Sequence, residues 1–287
     1  MGTWGEGLYD DDEACDVRDT LSLLAKMPAG AEQILALLLK QFGRNEDLRD
    51  DGCPGFWIAV ADQFARHGIE SGRALTMARR AIDSGADIDD LQARGMEAGG
   101  LKARQKVHQK VLQRLAQPKP ASSRKVPKNA PVMTVQAGEV YAFPTMKGKG
   151  MNAWFPDWEK AGFQPDGWGA LIILATGRVF DWFPWAAYSP VNVNPHSAPV
   201  LEDVLRGKTL FKDGVSYCAP KASHLKKMGM TLLGKLQLDD NAVDALCKLA
   251  SVKPRSAVLC DWSVCSGAFS THDPRLGRAS VQELVAV

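Results

Sequence analysis

The chain has 287 residues, of which 45% are hydrophobic and 24% charged, and this composition is typical of a globular protein rather than a disordered one. Its length suits two domains of roughly 100–150 residues each. We expect no membrane span, because no apolar run reaches about 20 residues, and the start of the chain lacks the pattern of a signal peptide. The expected location is the cytoplasm, where the six scattered cysteines are reduced.

The net charge of +2 hides a strong segregation of charge along the chain. Residues 1–51 contain twelve acidic and five basic residues, whereas residues 91–130 contain ten basic residues and one acidic residue. The two regions therefore present opposite charges, and the net charge alone says little about partners.

Residues 1–116 are predicted to form a small helical bundle. Apolar residues recur in them with a period near 3.6, and residues suited to helix ends flank each apolar stripe. The predicted helices begin after Asp10 to Asp12, after Gly30, at Pro54, after Ser71 and near Leu101. They end before Pro28, at Gly43, at Gly68, at Gly85 and near Leu115.

The next segment, residues 117–131, is rich in proline, serine and lysine and has no apolar period. This composition predicts an extended linker. The linker separates a helical domain, residues 1–116, from a second domain, residues 132–287.

The apolar period in the second domain changes to about 2, which indicates strands. Strands are predicted over residues 140–143, 168–175, 178–183, 256–262 and 264–269. Pro144 is expected to close the first strand, Thr176-Gly177 to form a hairpin turn, and Asp239 or Asp240 to cap a helix. The fold class is therefore α+β: a helical bundle, a linker, and a β-rich domain built as a twisted sheet or small barrel with one or two helices.

Six acidic residues near the start of the chain have two compatible interpretations. They are Asp10, Asp11, Asp12, Glu13, Asp16 and Asp19. Carboxylates suit the N-cap and first turn of a helix, and this interpretation is preferred. Clustered carboxylates can also imitate phosphates and enter the basic cleft of a nuclease. Asp10 can serve the first role while Asp16 and Asp19 face solvent.

Aromatic residues are concentrated between residues 154 and 185. Phe180 and Trp182 share one face of a predicted strand and are expected in the core. Trp154, Trp158 and Trp185 lie in proline-rich stretches where exposure is expected. Tryptophan is favoured at interfaces because it buries a large area at low entropic cost. These three tryptophans are therefore candidates for contact with a partner, with core packing as the alternative.

A basic strip, residues 94–128, has the charge needed to bind nucleic-acid phosphates. It consists of Arg94, Lys102, Arg104, Lys106, Lys110, Arg114, Lys119, Arg124, Lys125 and Lys128. Because no nucleic-acid motif accompanies the strip, a solvated helix face is the preferred interpretation.

The sequence contains no recognised catalytic, metal-binding or cofactor-binding pattern. Cys218, His224 and Asp213 do not follow the order of a known nucleophile signature. The short paired spacings of zinc sites are also missing from Cys260, Cys265 and His272. We therefore expect no catalytic residue, no metal and no cofactor, in a protein that binds a partner and is not an enzyme.

The start of the chain resembles domain-of-unknown-function family 4259. The resemblance rests on Met1–Asp12 (MGTWGEGLYDDD), with Ala14 and Asp16 following. It covers about residues 1–115, and it implies a helical domain but carries no function.

The second domain is similar to the immunity-protein-26 type of bacterial toxin antidotes. The matching residues are Gly138–Pro144 (GEVYAFP), Trp168-Gly169 before a strand, and the Gly177–Trp182 strand. The similarity covers about residues 135–190. It implies a protein that binds and blocks a cognate toxin, often one delivered by a type VI secretion or contact-dependent system.

The hypothesis that follows is an immunity protein that occludes a toxin as a monomer in a 1:1 complex, with no chemistry and no membrane partner. A nuclease is the preferred toxin, because the acidic residues would complement a basic cleft. The alternative is a nucleic-acid-associated protein that uses the basic residues between 102 and 128.

Overall fold

The computed structural model describes residues 5–210, 215–250, 252–262 and 279–286. The chain divides into two compact units, residues 1–130 and residues 131–287, here called the helical unit and the sheet unit. With about 43% helix and 18% strand, the fold is α+β, and the predicted fold class is confirmed. Within the described ranges, every helix is too short or too polar to cross a membrane.

Six α-helices build the described part of the helical unit. They are α1 (Asp12–Leu24), α2 (Ala31–Phe42), α3 (Cys53–His67), α4 (Gly72–Asp83), α5 (Ala86–Ala93) and α6 (Ala98–Ala116). The predicted caps of two helices are confirmed, since the side chains of Asp11 and Ser71 accept hydrogen bonds from the amides of Ala14 and Ala74. The prediction missed α5, which begins directly after Gly85.

Helix α3 is the centre of the helical unit. Twelve of its fifteen residues are buried, and they include the large side chains of Phe56, Trp57 and Phe64. Helices α1, α4, α5 and α6 all pack against it. A helix with apolar residues on every side is stable only when neighbours cover it, so the other helices are arranged around α3.

The segment after α6 is held against the helical unit. The amide of Lys119 donates to the carbonyl of Ala65 (2.9 Å). The Arg124 guanidinium donates to the carbonyls of Ala25 (2.8 Å), Met27 (2.6 Å) and Ala29 (3.0 Å), just beyond α1. The units divide between residues 130 and 131, and hydrogen bonds anchor the first part of the predicted linker to the helical unit.

The sheet unit contains a curled antiparallel sheet that forms a half-barrel. Its strands are β1 (Glu139–Met146), β2 (Lys149–Gly150), β3 (Gly167–Val179), β4 (Phe183–Val191), β5 (Ser216–Cys218) and β6 (Thr231–Lys235). The strand order is β2-β1-β3-β4-β5, and β6 pairs with the early part of β1.

Apolar layers cover both faces of this sheet. Ile172 and Leu174 of β3 face one layer, whereas Leu171 and Ile173 face the other. Helices contribute to these layers, and the described residues contain four of them in this unit, more than the one or two predicted. They are α7 (Leu201–Leu205), α8 (Ala222–Lys227), α9 (Asp240–Lys248) and α10 (Pro254–Leu259).

The hairpin turn lies later in the chain than predicted. Strand β3 continues through Thr176 and Gly177, which pair with Ala186 and Trp185, and it ends at Val179. The turn follows, with Phe180 and Asp181 at φ angles of 55° and 56°. Left-handed backbone at two successive turn residues matches the twist of an antiparallel hairpin, and neither residue type signals it in the sequence.

Four further predictions in this unit have different outcomes. Pro144 does not close β1, because it pairs with Trp168 inside the strand. Residues 256–262 are not a strand, since helix α10 begins at Pro254. The helix cap is confirmed at Asp239, whose side chain accepts from the Ala242 amide (2.8 Å). The predicted strand 264–269 lies outside the described residues.

Candidate functional site

Three of the six acidic candidates are held inside the helical unit. Asp10 accepts a hydrogen bond from the Gly7 amide (2.8 Å). Asp11 caps α1 and also pairs with Arg94 (2.8 Å). Glu13 is buried and forms a two-pronged ion pair with Arg44, in which Nε lies 2.6 Å from Oε1. Asp11 thus caps α1, as the capping interpretation predicts, and all three carboxylates have hydrogen-bond or ion-pair partners within the helical unit.

The other three acidic candidates share the exposed side of α1. Asp12, Asp16 and Asp19 are spaced four and three residues apart, so they lie on one face of the helix. Asp19 pairs with its neighbour Arg18 at 2.8 Å. The acidic surface of α1 is therefore smaller than the sequence suggested, with three carboxylates.

A buried carboxylate that the sequence did not single out, Asp62 on α3, is the centre of one polar cluster. It accepts from the Tyr9 hydroxyl (2.6 Å) and from Nε of Arg66 (2.7 Å) and Arg114 (2.5 Å). Burial, with the added effect of the Asp62 charge, raises the pKa of the Tyr9 hydroxyl, which therefore stays protonated. With its oxygens occupied by donors, Asp62 is a structural group.

A second buried carboxylate, Asp87 on α5, is bound by two side chains of α6. Nε of Arg104 lies 2.8 Å and Nε2 of His108 2.7 Å from its Oδ2. Burial acts to raise the pKa of Asp87, but the His108 hydrogen bond and the Arg104 charge outweigh it and hold the pKa at about 2. Arg104 also donates to the carbonyl of Gly7 (2.8 Å), which ties the start of the chain to α6.

These clusters divide the basic strip into two groups. Its four arginines are used inside the helical unit, on carboxylates or carbonyls. They are Arg94, Arg104, Arg114 and Arg124. The six lysines of the strip are all exposed.

Two tryptophan candidates lie at the surface between β2 and β3, as predicted. Trp154 is 54% exposed. The edge of its ring meets the buried His224 ring, with a centroid distance of 4.9 Å, and Nζ of Lys221 lies 4.8 Å above the Trp154 ring. Lys221 is fixed in turn by Asp261 (2.5 Å). Trp154 is thus held on two sides while much of the ring faces solvent.

Trp158 is 37% exposed and is fixed at the other end of α8. Its indole N–H donates to the carbonyl of Lys227 (2.6 Å), and its ring packs edge-on against Phe163 at 5.3 Å. Phe155, 43% exposed, lies between the two tryptophans in the chain. Because α8 is about 9 Å long, the two tryptophans lie within reach of one binding partner. We call Trp154, Phe155 and Trp158 the aromatic surface.

The third tryptophan candidate is not in a loop. Trp185 belongs to β4, where its ring packs against Tyr217 with a centroid distance of 5.5 Å. Core packing, the alternative interpretation, is therefore correct for Trp185. The core prediction for Phe180 and Trp182 is wrong, because both are half-buried residues of the hairpin turn.

The cysteine and histidine candidates do not form a site in the described part of the chain. Cys218 is buried in β5, and Asp213 lies outside the described residues, as do Cys265 and His272. Burial lowers the pKa of His224, and the charges of Lys221 and Lys227 lower it further, so this ring is neutral at pH 7. In the described ranges, no three His, Cys, Asp or Glu side chains are grouped to hold a metal ion.

Comparison with known proteins found no match for this chain among family models, curated proteins or solved structures.

Proposed function

We propose that this chain is an immunity protein that binds a bacterial toxin and occludes it, with the aromatic surface as the centre of the contact. Two points support the proposal. One is the resemblance predicted from the residues of 135–190 to an antidote family, and the other is the aromatic surface, whose three large apolar side chains are 37–54% exposed.

The aromatic surface has the properties of an interface hot spot. Tryptophan gives the largest energies in protein interfaces, where a single truncation costs about 2 kcal/mol or more. The rings of Trp154 and Trp158 are already fixed by contacts to α8 and its flanking residues. Binding therefore immobilises little that is not already ordered, which leaves more of the interaction free energy for affinity.

The chemistry of the aromatic surface defines what its partner must offer. Fully buried, three aromatic side chains cover roughly 450–750 Å², but these are 37–54% exposed and can bury only about half of that area on binding. A standard interface buries about 800 Å² on each partner. Polar residues must therefore supply much of the contact. Lys226 is exposed on α8, whereas Lys221 and Lys227 already bond within the sheet unit. The partner is then a protein with an apolar depression bordered by acidic groups. A nuclease is the proposed toxin, because the acidic side of α1 suits its basic cleft.

The test is co-expression with the toxin encoded by the adjacent gene. The unmodified chain should restore growth and co-purify with the toxin in a 1:1 complex. Trp154→Ala should weaken the complex by about 30-fold or more and reduce protection. Its melting temperature should stay within about 2 °C of the parent's, because the ring is mostly exposed.

The matched control is Leu249→Ala, which removes an apolar side chain that is 62% exposed directly after helix α9 of the same unit. It should protect as well as the parent chain. The proposal is abandoned if the parent chain neither restores growth nor binds the toxin. The role of the aromatic surface is rejected if Trp154→Ala and Leu249→Ala bind equally well.

A further inference from the structure

Helix α6 carries basic side chains on two opposite sides. Its inward side uses Arg104 and His108 on Asp87, and Arg114 on Asp62. These charges are neutralised inside the helical unit and are not available to a ligand.

The outward side of α6 consists of lysine and glutamine alone over three turns. The exposed residues there are Lys102, Gln105, Lys106, Gln109, Lys110 and Gln113. Helix α6 contains no acidic residue over its 19 positions, and the three lysines have no hydrogen-bond or ion-pair partner among the described residues. Lysines four residues apart repel one another, whereas an ordinary solvated helix face alternates acids with bases. This lysine and glutamine stripe on the outward side of α6 is therefore unfavourable for the isolated fold and suits an anionic ligand.

The surroundings of the stripe identify the kind of anion. No large apolar side chain is exposed in the described part of the helical unit. The first exposed one along the chain is Val132, which belongs to the sheet unit. A membrane-bound helix needs apolar residues beside its lysines, and single-stranded nucleic acid is bound through exposed aromatic residues. Neither requirement is met. Lysine and glutamine side chains do bind phosphate oxygens, and successive lysines lie about 6 Å apart along α6.

We propose that the outward side of α6 binds the phosphate backbone of a double-stranded nucleic acid, independently of its sequence. This activity is additional to toxin binding and rests on a different unit. Three more exposed lysines follow α6 in the helical unit and add to its positive charge. They are Lys119, Lys125 and Lys128.

The experiment measures binding of the full chain to a fluorescein-labelled duplex of about 20 base pairs by anisotropy, between about 50 and 200 mM NaCl. The variant Lys102→Gln/Lys106→Gln/Lys110→Gln should bind at least about tenfold more weakly at the lowest salt concentration. Its plot of log affinity against log salt should be shallower by about 3, since each lysine contributes close to one released counterion. A duplex of unrelated sequence should bind equally well, and a single strand more weakly.

The matched control is Lys160→Gln/Lys208→Gln/Lys248→Gln, which removes the same charge from exposed positions of the sheet unit. It should keep the parent affinity and salt slope. Circular dichroism should show that the α6 variant is as stable as the parent or more so, because the lysine repulsion is gone. The proposal is overturned if the parent does not bind the duplex at about 50 mM NaCl, if both triple variants lose affinity equally, or if the parent binds anionic lipid vesicles more tightly than the duplex.

Discussion

The helical unit and the sheet unit place their charged and apolar groups in opposite ways. The helical unit buries carboxylates, with Asp62 and Asp87 each bound by cations, and its described surface exposes no large apolar side chain. The sheet unit has apolar layers on both faces of its sheet and exposes tryptophans at its surface. In our proposals, helix α6 of the helical unit therefore binds a charged ligand, whereas the aromatic surface of the sheet unit binds an apolar one.

This difference also predicts which changes should destabilise each unit. A buried ion pair adds little net stability, but removal of one partner leaves an uncompensated charge and is very costly. A sheet core depends instead on close approach between strands and on packing. The helical unit should therefore be sensitive to charge removal and to acid, and the sheet unit to substitutions that push its strands apart.

The largest effect is expected for Asp87→Asn. It leaves the buried guanidinium of Arg104 without its counter-charge and should lower the free energy of unfolding of the helical unit by about 3–5 kcal/mol. Urea unfolding followed by far-ultraviolet circular dichroism reports mainly on the helices, whereas six of the eight tryptophans lie in the sheet unit and report on it by fluorescence. Only the transition followed by circular dichroism should shift to a lower urea concentration.

The control for this substitution is Asp89→Asn, which changes an exposed carboxylate on the same helix. It should alter stability by less than about 0.5 kcal/mol. If the fluorescence transition shifts as far as the circular dichroism transition, the two units do not unfold independently, and the contrast between them is wrong.

The next effect is expected in the sheet unit for Gly138→Ala. Gly138 has a φ of +86°, and a Cβ atom there would lie 2.2 Å from the carbonyl oxygen of Leu236. The strain and the clash should together cost about 2–3 kcal/mol and move only the fluorescence transition. Gly162→Ala is the control, since Gly162 has a φ of +59° but no atom within 4 Å. A control as destabilised as Gly138→Ala would show that the close approach contributes nothing.

Acid should weaken the helical unit by about 2 kcal/mol through Asp87. Because its folded pKa of about 2 lies below the unfolded value near 4, its contribution is fully present above about pH 4. It is lost as the pH falls through 2. Urea titrations between pH 5 and pH 2 should show this loss in the parent chain and in Asp89→Asn, whereas Asp87→Asn should lack it. An equal loss in Asp87→Asn would assign the acid sensitivity to other groups.

The smallest effect compares one substitution in both units. Tyr9→Phe removes the hydroxyl that donates to the buried Asp62 and should cost about 1 kcal/mol. Tyr141→Phe removes a hydroxyl that donates to Glu139 at 2.7 Å, where water can replace it, and should cost less than about 0.5 kcal/mol. Equal costs, measured by the same two probes, would mean that burial of the carboxylate does not matter.

Local signals predicted most of the helical unit. Helix caps such as Asp11 and Ser71 act within three residues, so the sequence shows them directly. Helix α5 was missed because a glycine such as Gly85 looks the same at a helix end and just before the next helix. The hairpin turn was misplaced because Phe180 and Asp181 take left-handed backbone that favours glycine, while the glycine nearby lies inside a strand.

The functional residues were predicted less well, because their roles depend on distant partners. Trp154 and Trp158 were identified from their proline-rich surroundings, but the same argument failed for Trp185, since Pro184 is accommodated within β4 opposite Arg178. Nothing local marks Asp62, whose partner Arg114 is 52 residues away. The basic strip likewise looked uniform in sequence, and only the fold separates its internal arginines from its exposed lysines.

The hydrogen bonds of Arg124 set an order of events during synthesis. The donor that satisfies the carbonyls of Ala25, Met27 and Ala29 is encoded about a hundred codons after them. At roughly 5–20 residues per second, about 5–20 s pass between the appearance of the first helix and that of its last hydrogen-bond donor. Until then, only water can donate hydrogen bonds to these three carbonyls beyond α1. A nascent chain that stops at Ala116 therefore contains all six helices but lacks the hydrogen bonds of Arg124 at the end of the first.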